Sequence, residues 1–219
     1  MDGMTEAKPD DASGRSYHHG DLKAALIDAT IDLIRTKRVE EVSVADAARA
    51  AGVSSGAPYR HFKDRDELLA HVAAEGFRRL NAAKEAGFGA HPRDSVESLI
   101  AGGCNYTEFG ADNPELFHLM WSAARHEDTI DVARMAGQSA YLGFIEELSG
   151  IMRARGLDHL DPHEFGAPLW AMVHGFASLL IGKPTMLNTD REAIRSYISN
   201  ATWAYFDGSE MDRPQKEKG

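Results

Sequence analysis

The chain has 219 residues, 43% apolar and 26% charged, with a net charge of −10 and a single cysteine. That length admits a small module joined to a larger domain, and that composition allows a buried core. Lone Cys104 excludes a disulfide framework and a cysteine-based zinc site, and neither a secretory leader nor a bilayer-length apolar run is legible, so a cytoplasmic protein without a membrane partner is expected. The acidity is unevenly placed: residues 15–75 carry nine Lys/Arg against ten Asp/Glu, and residues 76–219 fourteen against twenty. A near-neutral N-terminal part is compatible with a polyanionic partner, bound modestly and with a clear salt dependence.

Residues 1–16 are polar and aperiodic, with Pro9 and Gly14, and read as a disordered arm. Arg15, Tyr17, His18 and His19 precede the first helix, either as a basic arm for phosphate or minor groove or as a solvated tail. His18, His19 and Asp21 come nearest to a metal set, but adjacent histidines rarely converge on one ion, so no metal is expected. Over 21–37, Leu22, Leu26, Ala29 and Leu33 form one stripe, widened by Ile27, Ile31 and Ile34, as a bracing helix requires.

The next stretch, 43–68, organises the rest. Val44, Ala47, Ala48 and Ala51 recur at helical spacing, so a short helix buries a narrow face of small residues. Ser43 stands before it as N-cap with Asp46 in the capping-box position, and Gly52 supplies a positive-φ stop. Val53 re-enters the core, and Ser54 or Ser55 caps a second short helix carrying Tyr59 and Phe62. Two such helices make a helix-turn-helix, whose second helix can enter a DNA major groove.

Ala50-Ala51-Gly52-Val53-Ser54, then Gly56, Tyr59-Arg60-His61-Phe62 and Leu68, resemble the signature of the TetR family of transcriptional regulators, without a gap from about Leu22 to Phe77. Arg65 stands where the family usually has lysine, and Ala57-Pro58 where it often has Thr-Leu. The expected DNA contacts follow. Ser43 and Ser54 would cap helices and donate to phosphate; Ser55, Gly56 and Ala57 would approach base edges; Tyr59, Arg60, His61, Lys63 and Arg65 would hold backbone oxygens. Gly56 and Ala57 offer close approach and a methyl contact, so readout would lean partly on DNA shape.

A long helix begins at Asp64, with Glu67 completing a capping box, and runs to about Ala86 with Leu69, Val72, Gly76 and Leu80 on one face. Arg65 sits at its positive end, a position that makes sense if both face a phosphate. Beyond Gly87, start signals at Asn113-Pro114-Glu115, Asp161-Pro162-His163-Glu164 and Thr189-Asp190-Arg191-Glu192, with stops at Gly156, Gly182 and Gly208, predict helices near 93–110, 114–125, 128–155, 162–182 and 190–206. The fold class is therefore all-α: a three-helix helix-turn-helix domain at 17–63, joined by a long helix to a larger helical domain within 64–208, about nine helices, and a disordered tail at 209–219.

Leu169, Val173, Phe176 and Leu180 line one face of 162–182, and Ile194, Tyr197, Ile198, Ala201 and Tyr205 one face of 190–206. The resemblance implies that these two helices pair with their symmetry mates in a homodimer; by pattern alone some of them simply fill a core. Tyr106, Phe109, Phe117, Met120, Trp121, Tyr141, Phe144, Met172 and Phe176 form a dense apolar set that reads as core. The resemblance implies an apolar pocket among them for a small-molecule effector, with Trp170 and His174 added, because Trp170 to Gly175 is similar to a Trp-x-x-x-His-Gly run of one TetR subclass. His174 is either a satisfied core histidine or a polar contact for that effector. No cofactor and no catalytic residue is expected, and Cys104 reads as a buried thiol. The expected function is a ligand-responsive regulator, most simply a repressor on a palindromic operator. Its alternative is a dimeric helical small-molecule binding protein or an enzyme, for which His18, His163, His174, Glu164 and Asp161 would be the acid–base candidates.

Overall fold

The computed structural model describes residues 19–123, 131–183, 186 and 188–211. The expected arm with Arg15, Tyr17 and His18, the start of the helix expected at 128, and residues 212–219 of the expected tail lie outside them. Among the described residues there are eight α-helices and no strand. They are α1 (His19–Ile34), α2 (Val44–Ala50), α3 (Arg65–Phe88), α4 (Val96–Asp112), α5 (Pro114–Ala123), α6 (Asp131–Ala154), α7 (Pro162–Gly182) and α8 (Arg191–Met211).

The ninth expected helix, at 55–62, is a single 3-10 turn over Pro58–Arg60. Successive i→i+3 bonds, Ala57 N to Ser54 O and His61 N to Pro58 O, tighten this segment, and neither Ser54 nor Ser55 caps it. The physical reason is short supply: Ser54, Ser55 and Gly56 are poor helix formers, and Pro58 brings no donor. α8 also runs through Gly208 to Met211, past the stop expected there.

Local signals elsewhere act as the sequence suggests. Ser43 and Asp46 form a reciprocal capping box ahead of α2. Gly52 adopts φ +71, which turns the chain so that Val53 N bonds Ala48 O, a helix ending that disfavours a Cβ. Asp64 caps α3 through Glu67 N, while the Glu67 carboxylate accepts from Lys63 N. Gly156, at φ +67, follows α6.

The helices pack around α3, which touches α1, α4, α5 and α6, while α4 lies against α7 and α8. One apolar cluster runs unbroken from Leu26, Ile31 and Phe62 through Val72 and Phe77 on α3 to Tyr106, Phe117 and Met120. The small N-terminal head therefore borrows half its core from α3. A second cluster joins Phe88, Leu148, Ile151, Phe165 and Phe206. α3 and α4 cross closely because Gly87 lacks a side chain: a Cβ there would lie 2.6 Å from Ala101 O.

By length and composition α7 is apolar enough to cross a membrane, with mean hydropathy 1.4, which amends the expectation of no such run. Its inner face fills the molecule, with Phe165, Leu169, Ala177 and Leu180 buried, and its outer face, including Ala171, Gly175 and Leu179, is exposed.

Candidate functional site

Two sites deserve description: the outer face of the head, and a cavity in the helical body. In the head, Pro58 and Phe62 point inward and fix the 3-10 turn between them, leaving Ser54, Ser55, Gly56, Tyr59, Arg60 and Lys63 exposed. Tyr59 is 60% exposed, unusual for so large an apolar ring. Arg60 and Lys63 make no ion pair with any described residue. A Cβ added to Gly56 would meet nothing within 4 Å, so nothing inside the fold calls for glycine there. Ala57 and His61 are half-buried, and Ser43 is exposed with its hydroxyl engaged by Asp46 at 2.7 Å. The Ser43 hydroxyl and then its amide hold the Asp46 carboxyl below the usual carboxylate range.

Arg65 departs from the expected phosphate contact. Its guanidinium donates to Val42 O at 2.8 Å and Val39 O at 2.6 Å. The chain after α1 presents those carbonyls, and a fork of fixed donors satisfies both at once. From the other side Glu115, at the start of α5, accepts from Val39 N at 3.2 Å.

Phe62 is held by an aromatic and a cation: the His71 ring meets it edge-on at 5.5 Å, and the Lys23 ammonium lies over it at 5.4 Å. Lys23 Nζ is 3.0 Å from His71 Nε2, so neutral His71 accepts from it. Burial first, then Lys23, with Arg78 adding and Glu67 opposing, keep the His71 pKa below its ordinary value. A histidine depressed in this way contributes stability above its unfolded value, roughly 6.5, and loses it as pH falls through the folded one. Wild-type thermal midpoints should therefore fall more between pH 7.5 and 5.5 than those of His71→Gln, which keeps an acceptor and cannot titrate. Equal slopes in melting curves of the two proteins would contradict this.

The cavity, about 320 Å³, lies between α3, α4, α6, α7 and α8, with Trp121 of α5 in its wall. Of the expected pocket residues, Tyr106, Trp121, Tyr141, Phe144 and Trp170 line it. Phe109, Phe117, Met120 and His174 do not. Met120 is fully buried against Gly76 on α3. Phe117 stacks on His174 at 5.2 Å, and His174 Nδ1 lies 2.9 Å from the Tyr106 hydroxyl. His174 is therefore a core histidine that positions Tyr106 from behind. Burial pushes the Tyr106 pKa up, with the Trp170 and Trp121 indoles opposing weakly.

Several residues expected at a dimer interface are used inside the chain instead. Leu169, Val173 and Ile198 line the cavity, while Leu180 and Ile194 pack with Cys104. The exposed or half-exposed remainder is Phe176, Tyr197, Ala201 and Tyr205, with Leu179 and Ile181 beside them. Burial raises the Cys104 thiol to about 11, which leaves it without thiolate character. Sequence reasoning missed Lys84, Phe88, Gly102, Gly103 and Thr202 in the wall. The available signal was Lys84, a cation four residues after Leu80 on an otherwise apolar stripe.

Residues 26–72 match the family described as bacterial regulatory proteins, tetR family, and residues 99–198 match the tetracyclin repressor-like, C-terminal domain. The chain belongs to the TetR family of transcriptional regulators. This TetR-family protein is a DNA-binding regulator and not an enzyme. It is 23% identical over 181 residues to the HTH-type transcriptional regulator BetI of Escherichia coli K12, covering 80% of this chain and 90% of that one. Among solved structures it resembles a Rhodococcus sp. RHA1 protein of unknown function, with TM-score 0.76 and 26% identity over 89% of this chain and 98% of that one. A transcriptional regulator from the same organism has TM-score 0.70 at 20% identity, covering 85% and 96%. For this TetR-family chain, the helix-turn-helix and the larger helical domain expected from the sequence are both present.

Proposed function

We propose that the regulator is a cytoplasmic homodimeric repressor of a palindromic operator, released when a small apolar or amphipathic effector enters the cavity. The observation that carries this reading is that α3 serves both sites. Its first turn is tied to the head through Arg65, and Leu80, Lys84 and Phe88 near its other end wall the cavity. Ser54, Ser55, Gly56 and Ala57 approach base edges, and Tyr59, Arg60 and Lys63 hold phosphates. Ser43 and His61 flank them, and Arg65 positions the head rather than touching DNA.

Dimerisation through the outer faces of α7 and α8 suits the apolar groups left there. Phe176 and Tyr197 stack at 6.1 Å across the two helices, and Leu179, Ile181 and Ala201 continue the surface. A symmetric pair would read half-sites about 34–36 Å apart, or a multiple of that. An effector acts by preferring one separation of the heads, since only differential affinity shifts a population.

A fluorescence anisotropy titration against DNA upstream of the protein's own gene, at several salt concentrations, tests the reading. Tyr59→Ala and Lys63→Ala should weaken binding about equally on operator and unrelated DNA. Lys63→Ala should also flatten the salt dependence by roughly 0.9 in log–log slope, one phosphate contact. Lost discrimination at unchanged non-specific affinity would refute these roles. A monomer that ignores DNA at low ionic strength would refute the whole.

A further inference from the structure

The cavity wall is almost wholly aromatic and aliphatic, yet it contains a lysine. Lys84 is 9% exposed, and its Nζ donates one hydrogen bond, 3.1 Å, to Ala140 O on α6. An ammonium has three donors, so two are left over. No described carboxylate pairs with it: adjacent Glu85 acts only at longer range and is itself bonded to Arg93. A cation buried without a counter-ion is costly, and an apolar side chain of equal length would fill the same space at lower cost. Packing therefore gives no reason for a lysine here. A ligand does.

We propose that the cavity takes a monoanionic amphiphile, an aromatic or medium-chain apolar body bearing one carboxylate, and that Lys84 binds the carboxylate. This rests on the reading of the cavity as the effector site. The charge selects the head group: a cationic ligand meets repulsion, and a neutral one leaves the ammonium uncompensated. The wall selects the body, since Trp170, Phe144 and Leu169 offer only apolar contact, while the Tyr106 and Thr202 hydroxyls can bond a second carboxylate oxygen. The size, about 320 Å³, is at the small end of ligand sites, roughly 300–1,000 Å³, and has no room for a nucleotide-bearing conjugate. Burial lowers the Lys84 pKa to about 8, which leaves the amine mostly cationic at neutral pH.

Isothermal titration of the full-length protein with 4-phenylbutyrate and octanoate, each beside its primary amide, tests the assignment. The wild type should bind the acids at least tenfold more tightly than the amides. Lys84→Met should bring acid and amide within about twofold while amide affinity holds. The assignment is overturned if the wild type does not distinguish acid from amide, if neither acid binds at millimolar concentration, or if Lys84→Met keeps the preference. Should that variant fail to fold, the wild-type comparison still decides. DNA binding measured in parallel without ligand separates this proposal from the one beneath it. Intact operator binding without acid preference removes only the Lys84 assignment. Acid preference without operator binding supports Lys84 and removes the repressor.

Discussion

Phe62→Ala should cost roughly 3–5 kcal/mol and abolish operator binding, because it empties the centre of the head. Phe62 is 1% exposed and, with Pro58, is what pins the 3-10 turn to α1 and α3. Without the ring, the His71 edge and the Lys23 ammonium face a void, and neighbouring backbone cannot collapse into it without moving α3. Hydrogen exchange followed by mass spectrometry provides the check. Amides of α1 and α2 should lose protection by several orders of magnitude, and those of α4, α7 and α8 by much less. Uniform loss would mean that head and body unfold as one unit through their shared cluster, and unchanged protection would contradict the packing described.

Gly87→Ala should destabilise the body by roughly 1–3 kcal/mol, the usual range for overpacking. The new methyl would sit 2.6 Å from Ala101 O and 2.7 Å from Gly102 N, backbone atoms that cannot rotate aside. Alanine is the better helix former by about 1 kcal/mol, which offsets part of the clash and does not reverse it. α3 and α4 must part, and the Phe88 ring that lies over Gly102 loses its seat in the cavity wall. Thermal denaturation should show a lower midpoint, and 4-phenylbutyrate should bind more weakly. A raised midpoint would mean that the two helices do not touch at Gly87.

Much of this architecture is legible because local rules agree with each other. Ser43 with Asp46, Gly52, Asp64 with Glu67, and Pro162 after Asp161 each mark a terminus through one backbone donor or one dihedral angle, and short windows carry such information. The 3-10 turn at 58–60 escaped because its pattern is too short to distinguish one helix type from another. What remained hidden is the sidedness of the body helices. Leu169, Val173 and Ile198 share stripes with Phe176 and Tyr197, and period alone does not say which edge of a broad stripe meets the cavity and which meets a partner. His174 was ambiguous for the same reason, being settled only by Phe117 and Tyr106 arriving from two other helices.

The double hold on the segment after α1, with Arg65 gripping Val39 O and Val42 O and Glu115 gripping Val39 N, has a mechanical outcome. It removes any soft joint where the shaft meets the head, so α3 behaves as a stiff lever. From Lys84 to Arg65 that shaft measures about 28 Å at 1.5 Å per residue, and a rotation of about 5° at the inner end swings the outer end by about 2–3 Å. Applied to both copies of a symmetric pair, an adjustment no larger than a side chain's breadth puts Tyr59 and its symmetry mate out of step with the pitch of the duplex.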